Sequence, residues 1–292
     1  MRKQFRETMM DLAERDERVT LVFGDISVYL FNTFQQKFPE RFYNMGICEA
    51  TLVSVAAGLS SQGFIPFVHS ITPFVTERAL EQIKLDFCYN QFPGNIISCG
   101  ATFDYAWDGA THHGWVDTGA IRLLPGTQVF QPGTPKEFDA LLRSQYAIGK
   151  TSYYRTSDHA HGVEISENIQ AGKGIILKNT GAKLTVITAG PILKNVFEAC
   201  ADLPVNLLYF HTLKPFDHEL VSQFSNTTLA VVHDTHGLHE AVCETANRSV
   251  FKLGLPDAFC CSYGKIDDAR NFAGLSIASI KEFLIKIKGL CP

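Results

Sequence analysis

Short apolar runs of strand length alternate with stretches of helical periodicity along nearly the whole chain, and this alternation constrains the fold more than any other feature. Residues 19–23, 65–69, 95–98, 127–130, 184–188, 205–210, 228–233 and 258–262 read as buried strands, and Tyr153-Tyr154 adds another. Between them, 2–14, 49–62, 74–88, 135–148, 191–200, 217–224, 239–251 and 276–287 read as helices. Phe5, Met9, Leu12 and Ala13 give the first of these its apolar face. Strands that lack a polar face and alternate with helices belong in parallel sheets covered by helices on both sides. The pattern is interrupted at 157–182, where Ser, Asp, His, Asn, Gly and Lys dominate, as in a linker. The sequence therefore predicts two α/β domains, 1–178 and 179–292, each a mostly parallel sheet flanked by helices. A length of 292 residues agrees, since a domain averages about 150.

One stretch competes with this reading. Residues 51–76 contain no Asp, Glu, Lys or Arg and are long enough to cross a bilayer. Ser60-Ser61-Gln62-Gly63 and then Pro66 and Pro73 interrupt it, so it reads as helix, turn, strand and turn inside a soluble core, with no membrane partner. The helix at 49–62 is apolar nearly all round, which predicts burial on every side, including a face for self-association. With 26 Lys and Arg against 30 Asp and Glu, the net charge of −4 offers no basic excess for a nucleic-acid partner. No apolar run follows Met1-Arg2-Lys3, and the 8 Cys show no CxxC spacing. The expectation is a cytoplasmic protein with reduced thiols.

Several motifs fail or remain ambiguous. Gly149-Lys150-Thr151 resembles the end of a phosphate loop, but Ser144 replaces its first glycine and the motif ends a helix instead of opening one. His233, His236 and His239 do not match a metal-binding helix and read as solvent or interface residues, so no metal site is assigned. Glu49 follows the turn Asn44-Met45-Gly46-Ile47-Cys48 and opens the apolar helix. It reads either as a solvated helix-start acid or as a desolvated carboxylate able to share a proton with a ligand nitrogen. Asp108-Gly109-Ala110-Thr111-His112-His113-Gly114 reads either as a surface loop or as a strand-end loop of the kind that carries chemistry in α/β proteins.

Taken in order, Gly24-Asp25, Pro39-Glu40-Arg41-Phe42, Gly46-Ile47-Cys48-Glu49, Ala56-Ala57-Gly58-Leu59, Arg78-Ala79-Leu80-Glu81-Gln82-Ile83 and Asp108-Gly109-Ala110-Thr111-His112 resemble the C-terminal half of the transketolase family of thiamin-diphosphate enzymes. Leu213-Lys214-Pro215-Phe216-Asp217 and His236-Gly237-Leu238 resemble that family's C-terminal domain. The resemblance implies a pyrimidine-binding domain followed by a C-terminal domain. It implies that Glu49 bonds N1′ of the cofactor's aminopyrimidine and promotes loss of the thiazolium C2 proton, acting in catalysis together with His112. Phe74 matches the aromatic stacked on the pyrimidine, and Asp25 the aspartate near the cofactor at the end of the first strand. Asp108 and His112 match residues that contact the donor sugar's hydroxyls. Arg155 matches an arginine for the substrate phosphate, with Arg2 a further alignment to a phosphate-binding arginine.

Departures from the family pattern shape the expectation. Ile71 replaces a second aromatic near the pyrimidine. Gly100 stands where relatives place a phosphate-binding His, and Tyr29 where they place Ser, so an unphosphorylated, nucleotide-linked or otherwise unusual sugar enters as an acceptor. No Gly-Asp-Gly occurs, since Ile26 follows Gly24-Asp25, and that motif holds Mg²⁺ and the diphosphate in the family. The resemblance thus implies the beta subunit of a split transketolase, two copies pairing with two alpha subunits. The alpha subunit would carry Gly-Asp-Gly and most of the contacts to Mg²⁺ and thiamin diphosphate. The expected reaction moves a two-carbon ketol unit between sugars. The alternatives are a decarboxylating relative, like deoxyxylulose-phosphate synthase or a 2-oxoacid dehydrogenase beta subunit, and a non-catalytic partner.

Overall fold

A computed structural model describes residues 1–165 and 168–289. Its strands are β1 Val19–Phe23, β2 Phe42–Asn44, β3 Ile65–Ile71, β4 Gly94–Cys99, β5 Thr127–Phe130, β6 Thr151–Arg155, β7 Gly174–Lys178, β8 Leu184–Ala189, β9 Asn206–Phe210, β10 Thr212–Lys214, β11 Thr228–Val232 and β12 Val250–Leu253. They form a seven-stranded sheet, ordered β10-β5-β6-β4-β3-β1-β2, and a five-stranded sheet, ordered β12-β11-β8-β9-β7. All pairings are parallel except β10 with β5 and β7 with β9, one at an edge of each sheet. This is the two-domain α/β architecture that the alternation predicts.

Burial explains the uninterrupted apolar runs. Every residue of β1, β4, β5 and β6 is buried, because helices cover both faces. On one face, helices Arg2–Arg15 and Pro135–Gln145 pack Phe5, Met9, Phe138 and Leu141 against Phe23, Phe67 and Tyr154. On the other, Leu52, Val53 and Ala56 of helix Glu49–Ser61 join Val68 and Ile96. That core continues through Leu213 and Phe216 to Ile187, Leu208 and Val231 of the second sheet. Strand β10 leaves the second sheet's neighbourhood to pair with the first, which ties the two sheets together.

Four local expectations are corrected. β7 lies inside 157–182, the stretch that reads as linker, and belongs to the second sheet. Its antiparallel pairing with β9 satisfies a backbone that composition alone reads as linker. Residues 258–262 form no strand; the edge strand is β12, which begins at the end of the expected helix 239–251, and that helix spans only Leu238–Thr245. The expected helix 74–88 is broken into Thr72–Thr76, Leu80–Gln82 and a wide π-turn segment Ile83–Tyr89. Finally, helix Glu49–Ser61 is not buried all round within this chain. Thr51, Ser54, Gly58 and Ser61 form an exposed stripe of small residues. Apolarity there comes from small side chains, which do not demand burial as Leu or Val would.

Candidate active site

The strand order reverses between β1 and β3: the chain leaves β1 for β2 on one side, then crosses to β3 on the other. A crevice outside the carboxyl ends of strands forms at such a switch point and is the usual ligand site of open α/β sheets. Asp25 follows β1, Glu49 follows β2, and Phe74 follows β3.

Glu49 sits in the first turn of its helix, where the backbone dipole favours a carboxylate. Its side chain is 1% exposed, although the residue opens a surface helix. Ser70 Oγ donates to Oε1 at 2.9 Å, and Arg78 Nη1 donates to Oε2 at 2.6 Å. Arg78 can reach because the helix after β3 stops: the Glu77 and Arg78 amides both donate to Pro73 O, and the chain turns before Leu80. The Arg78 guanidinium lies 4.2 Å from the centroid of the Phe74 ring. Phe74 in turn meets the His112 ring edge-on, with centroids 5.1 Å apart. The expected residues Glu49, Phe74 and His112 are therefore brought into one cluster, with Ser70 and Arg78 as partners that the sequence reading did not single out.

Asp25 is exposed and adopts a left-handed backbone, φ 59°. Asn44, at the end of β2, accepts from the Asp25 amide at 3.0 Å and donates to its carboxylate at 2.8 Å. The same Asn44 oxygen accepts from the Gly46 amide, so one side chain joins the loop after β1 to the turn that precedes Glu49. Beneath them is a residue the sequence reading passed over. His69 is buried, receives the rings of Phe5 and Phe23, and bonds Ile97 O and Ser27 Oγ at 2.9 and 3.1 Å. Burial pushes its pKa down to about 4, so it stays neutral at neutral pH. The signal was available: His69 is the single imidazole in an otherwise uncharged strand.

The loop after β4 carries Asp108 and His112. Asp108 is exposed, while His112 is half-buried and its Nδ1 lies 2.9 Å from Thr111 Oγ1. His113 points the other way, buried edge-on to Phe103 and Trp115. Gly100, at φ 79°, has the Tyr105 ring against it: a Cβ there would come within 2.3 Å of Cε2. A histidine at this position could not enter without expelling Tyr105, which accounts for one departure from the family pattern.

Arg155 lies apart from the Glu49 cluster. Its side chain is 0% exposed within this chain and committed inward, to Asp117 Oδ2 at 2.9 Å, Thr102 Oγ1 at 2.6 Å and Gly114 O at 2.7 Å. Arg2 is partly exposed but forms a two-pronged pair with Asp158, at 3.1 and 2.8 Å. His233, His236 and His239 diverge: His233 bonds Gln131 Oε1, and His239 faces Val250 O. Among the described residues, no three His, Cys, Asp or Glu side chains converge as metal ligands. Seven cysteines are free, and Cys291 lies outside the described residues.

These residues fit the aminopyrimidine half of thiamin diphosphate. The test is Arg78 itself: a planar group with N–H donors already lies on Phe74 and donates to the buried Glu49 carboxylate. A second flat, N–H-bearing group would meet the same ring face and the same acceptor.

A family model described as "Transketolase, pyrimidine binding domain" matches residues 1–158. An "Uncharacterized 33.6 kDa protein in fasciation locus" from Rhodococcoides fascians is 34% identical over 214 residues, 73% of this chain and 67% of that protein. A "Putative transketolase C-terminal section" from Methanocaldococcus jannaschii is 27% identical over 303 residues, covering 98% of this chain and 95% of that one. A solved structure described as "Split gene transketolase, inactive beta4 tetramer" superposes with a TM-score of 0.85 at 27% identity, covering 100% of this chain and 98% of that one. The switch-point carboxylate, the aromatic beside it and this run of likeness agree: the chain belongs to the transketolase pyrimidine-binding-domain family of thiamin-diphosphate-dependent transferases.

Proposed function

We propose that this chain is the beta subunit of a split transketolase, moving a two-carbon ketol unit between sugars when paired with an alpha subunit. The observation that carries the reading is the Glu49–Phe74–His112 cluster: a buried carboxylate, an aromatic face and an imidazole at one switch point. Full-length likeness to a chain named as a transketolase C-terminal section, and to a split-gene structure, supports the division of labour. Mg²⁺ and the diphosphate are assigned to the alpha subunit's Gly-Asp-Gly segment. The small-residue stripe on helix Glu49–Ser61 is assigned to subunit contact, in an assembly of two alpha and two beta chains in the cytoplasm. The division between the chain's own domains is placed between Asp158 and Gly174, ahead of β7.

When bound, thiamin diphosphate supplies the carbon nucleophile and the electron sink. Glu49 would hold a proton at a pyrimidine nitrogen of the cofactor, and its burial would make that hydrogen bond strong and keep water from competing. Ser70 orients the carboxylate through Oε1. Phe74 fixes the plane of the ring. Asp25 lies along the crevice, held by Asn44. Asp108 and His112 bind the donor's hydroxyls, and His112, backed by Phe74, moves a proton at the donor oxygen.

The test is ketose-to-aldose transfer by the recombinant pair of chains, run beside pyruvate consumption. Transfer that is lost in Glu49→Ala, and reduced in His112→Ala through donor KM, supports the reading. Retained transfer in Glu49→Ala refutes it, and pyruvate-dependent turnover without ketol transfer replaces it with the decarboxylating alternative.

A further inference from the structure

We propose that Arg155 is a positioning residue that clamps the neck of the 100–114 loop and so presents Asp108 and His112 to the donor. This rests on the reading of those two residues as donor contacts. The loop is closed at its base by Thr102 and Gly114, whose amides and carbonyls exchange bonds of 2.8 and 3.1 Å. One nitrogen of Arg155, Nη2, donates to both sides of that neck, to Thr102 Oγ1 at 2.6 Å and Gly114 O at 2.7 Å. Asp117 holds the guanidinium from behind, accepting from Nε at 2.9 Å and from the Tyr153 hydroxyl at 2.6 Å.

The second domain fastens the same neck. Thr102 Oγ1 donates to Asp234 O at 3.1 Å, and Thr235 Oγ1 donates to Trp115 O at 2.5 Å. The Asp234 carboxylate stands 3.9 Å from Nη1 of Arg155. Beyond the neck, residues 103–106 are buried and Asp104 accepts from Ser157 Oγ and the Asp158 amide, both at 2.9 Å. The exposed part is the tip: Trp107, Asp108 and Thr111 face solvent, and the side-chain hydrogen bond of His112 is to its neighbour Thr111. The placement of Asp108 and His112 therefore depends on the base, together with the edge contact of His112 to Phe74. Arginine suits the task because its planar fork serves three directions at once and keeps its charge when buried; lysine has neither property.

Thr102→Val tests the clamp without stripping charge from Asp117, and Arg155→Lys keeps the charge while losing the fork. Hydrogen exchange on the full chain reads the clamp directly. Amides of 103–113 should exchange about tenfold faster in Thr102→Val while those of β4 and β6 stay unchanged, since a lost bond to a charged donor loosens only what it held. Unchanged exchange in a folded Thr102→Val chain overturns the clamp, whatever the enzyme does.

In the reconstituted pair, both variants should raise donor KM about tenfold, equally for phosphorylated and unphosphorylated donors, with the thiamin-diphosphate Kd unchanged. A loss confined to phosphorylated donors would return Arg155 to phosphate binding and overturn the proposal. Absence of transfer by the wild-type pair would remove the functional reading and leave the exchange result to decide the clamp.

Discussion

Removing Asp117 is the sharpest test of the buried ion pair beside the junction between the two sheets. Its carboxylate and the Arg155 guanidinium are both fully buried and 2.9 Å apart, and Tyr153 donates to the same oxygen at 2.6 Å. Asp117→Ala leaves a buried cation whose nearest carboxylate is Asp234 at 3.9 Å, and it removes one of the two partners of the Tyr153 hydroxyl, leaving Ser98 Oγ at 2.8 Å. Stripping one partner from a buried pair costs about 3–5 kcal/mol. A domain's whole stability is about 5–15 kcal/mol, so the loss is a large share of it. Urea unfolding of the full chain should show the midpoint falling accordingly. Arg155→Met/Asp117→Leu should be much less damaged than the sum of its single changes, because no uncompensated charge remains, giving a coupling of at least about 1 kcal/mol. A cost below about 1 kcal/mol for Asp117→Ala, or strict additivity, would refute the reasoning.

Arg78→Ala uncovers Phe74 and frees one oxygen of the buried Glu49 carboxylate. Thiamin diphosphate should bind the reconstituted pair a few-fold tighter by fluorescence titration, and weaker binding would make Arg78 part of the ring's own site. Gly109→Ala places a Cβ at φ 74°, within 2.7 Å of the Tyr263 ring. Thermal unfolding should show a loss of about 1–3 kcal/mol, partly restored by Tyr263→Ala, and an unchanged melting temperature would contradict the close approach. Burial raises the Asp104 carboxyl to about 7, so the folded chain holds that proton more tightly than the unfolded one. This group's contribution to stability is therefore present at low pH and is lost as pH rises through about 7. Relative to wild type, Asp104→Asn should gain stability with rising pH across that window, and a pH-independent difference would show that Asp104 ionises freely.

Element type and order were legible because they depend on local pattern: continuous apolar runs gave the buried strands, and spaced ones gave the helix faces. Glu49 was legible for the same reason, since the apolar helix behind it implied its burial. Arg78 was not, because it reaches Glu49 only through the break after Thr76, and a break at Glu77-Arg78-Ala79 carries no Gly or Pro to announce it. The inward partners of Arg155 were not legible, because a strand-end arginine looks alike from sequence whether it faces the crevice or the domain junction. Its partner Asp117 lies 38 positions away, and Asp234 comes from the other sheet. β7, Gly-Ile-Ile-Leu-Lys, was hidden because its short apolar run sits between Gly-, Lys- and Asn-containing neighbours that read as linker.

The central claim, that the site is shared between two chains, is tested most directly by native mass spectrometry. The chain is measured alone and with its Gly-Asp-Gly-bearing partner, in thiamin diphosphate and Mg²⁺. The account predicts an assembly of both chains that retains cofactor mass, and none retained by this chain alone. Cofactor held by this chain without a partner, or a homo-oligomer that takes up neither partner nor cofactor, would contradict it.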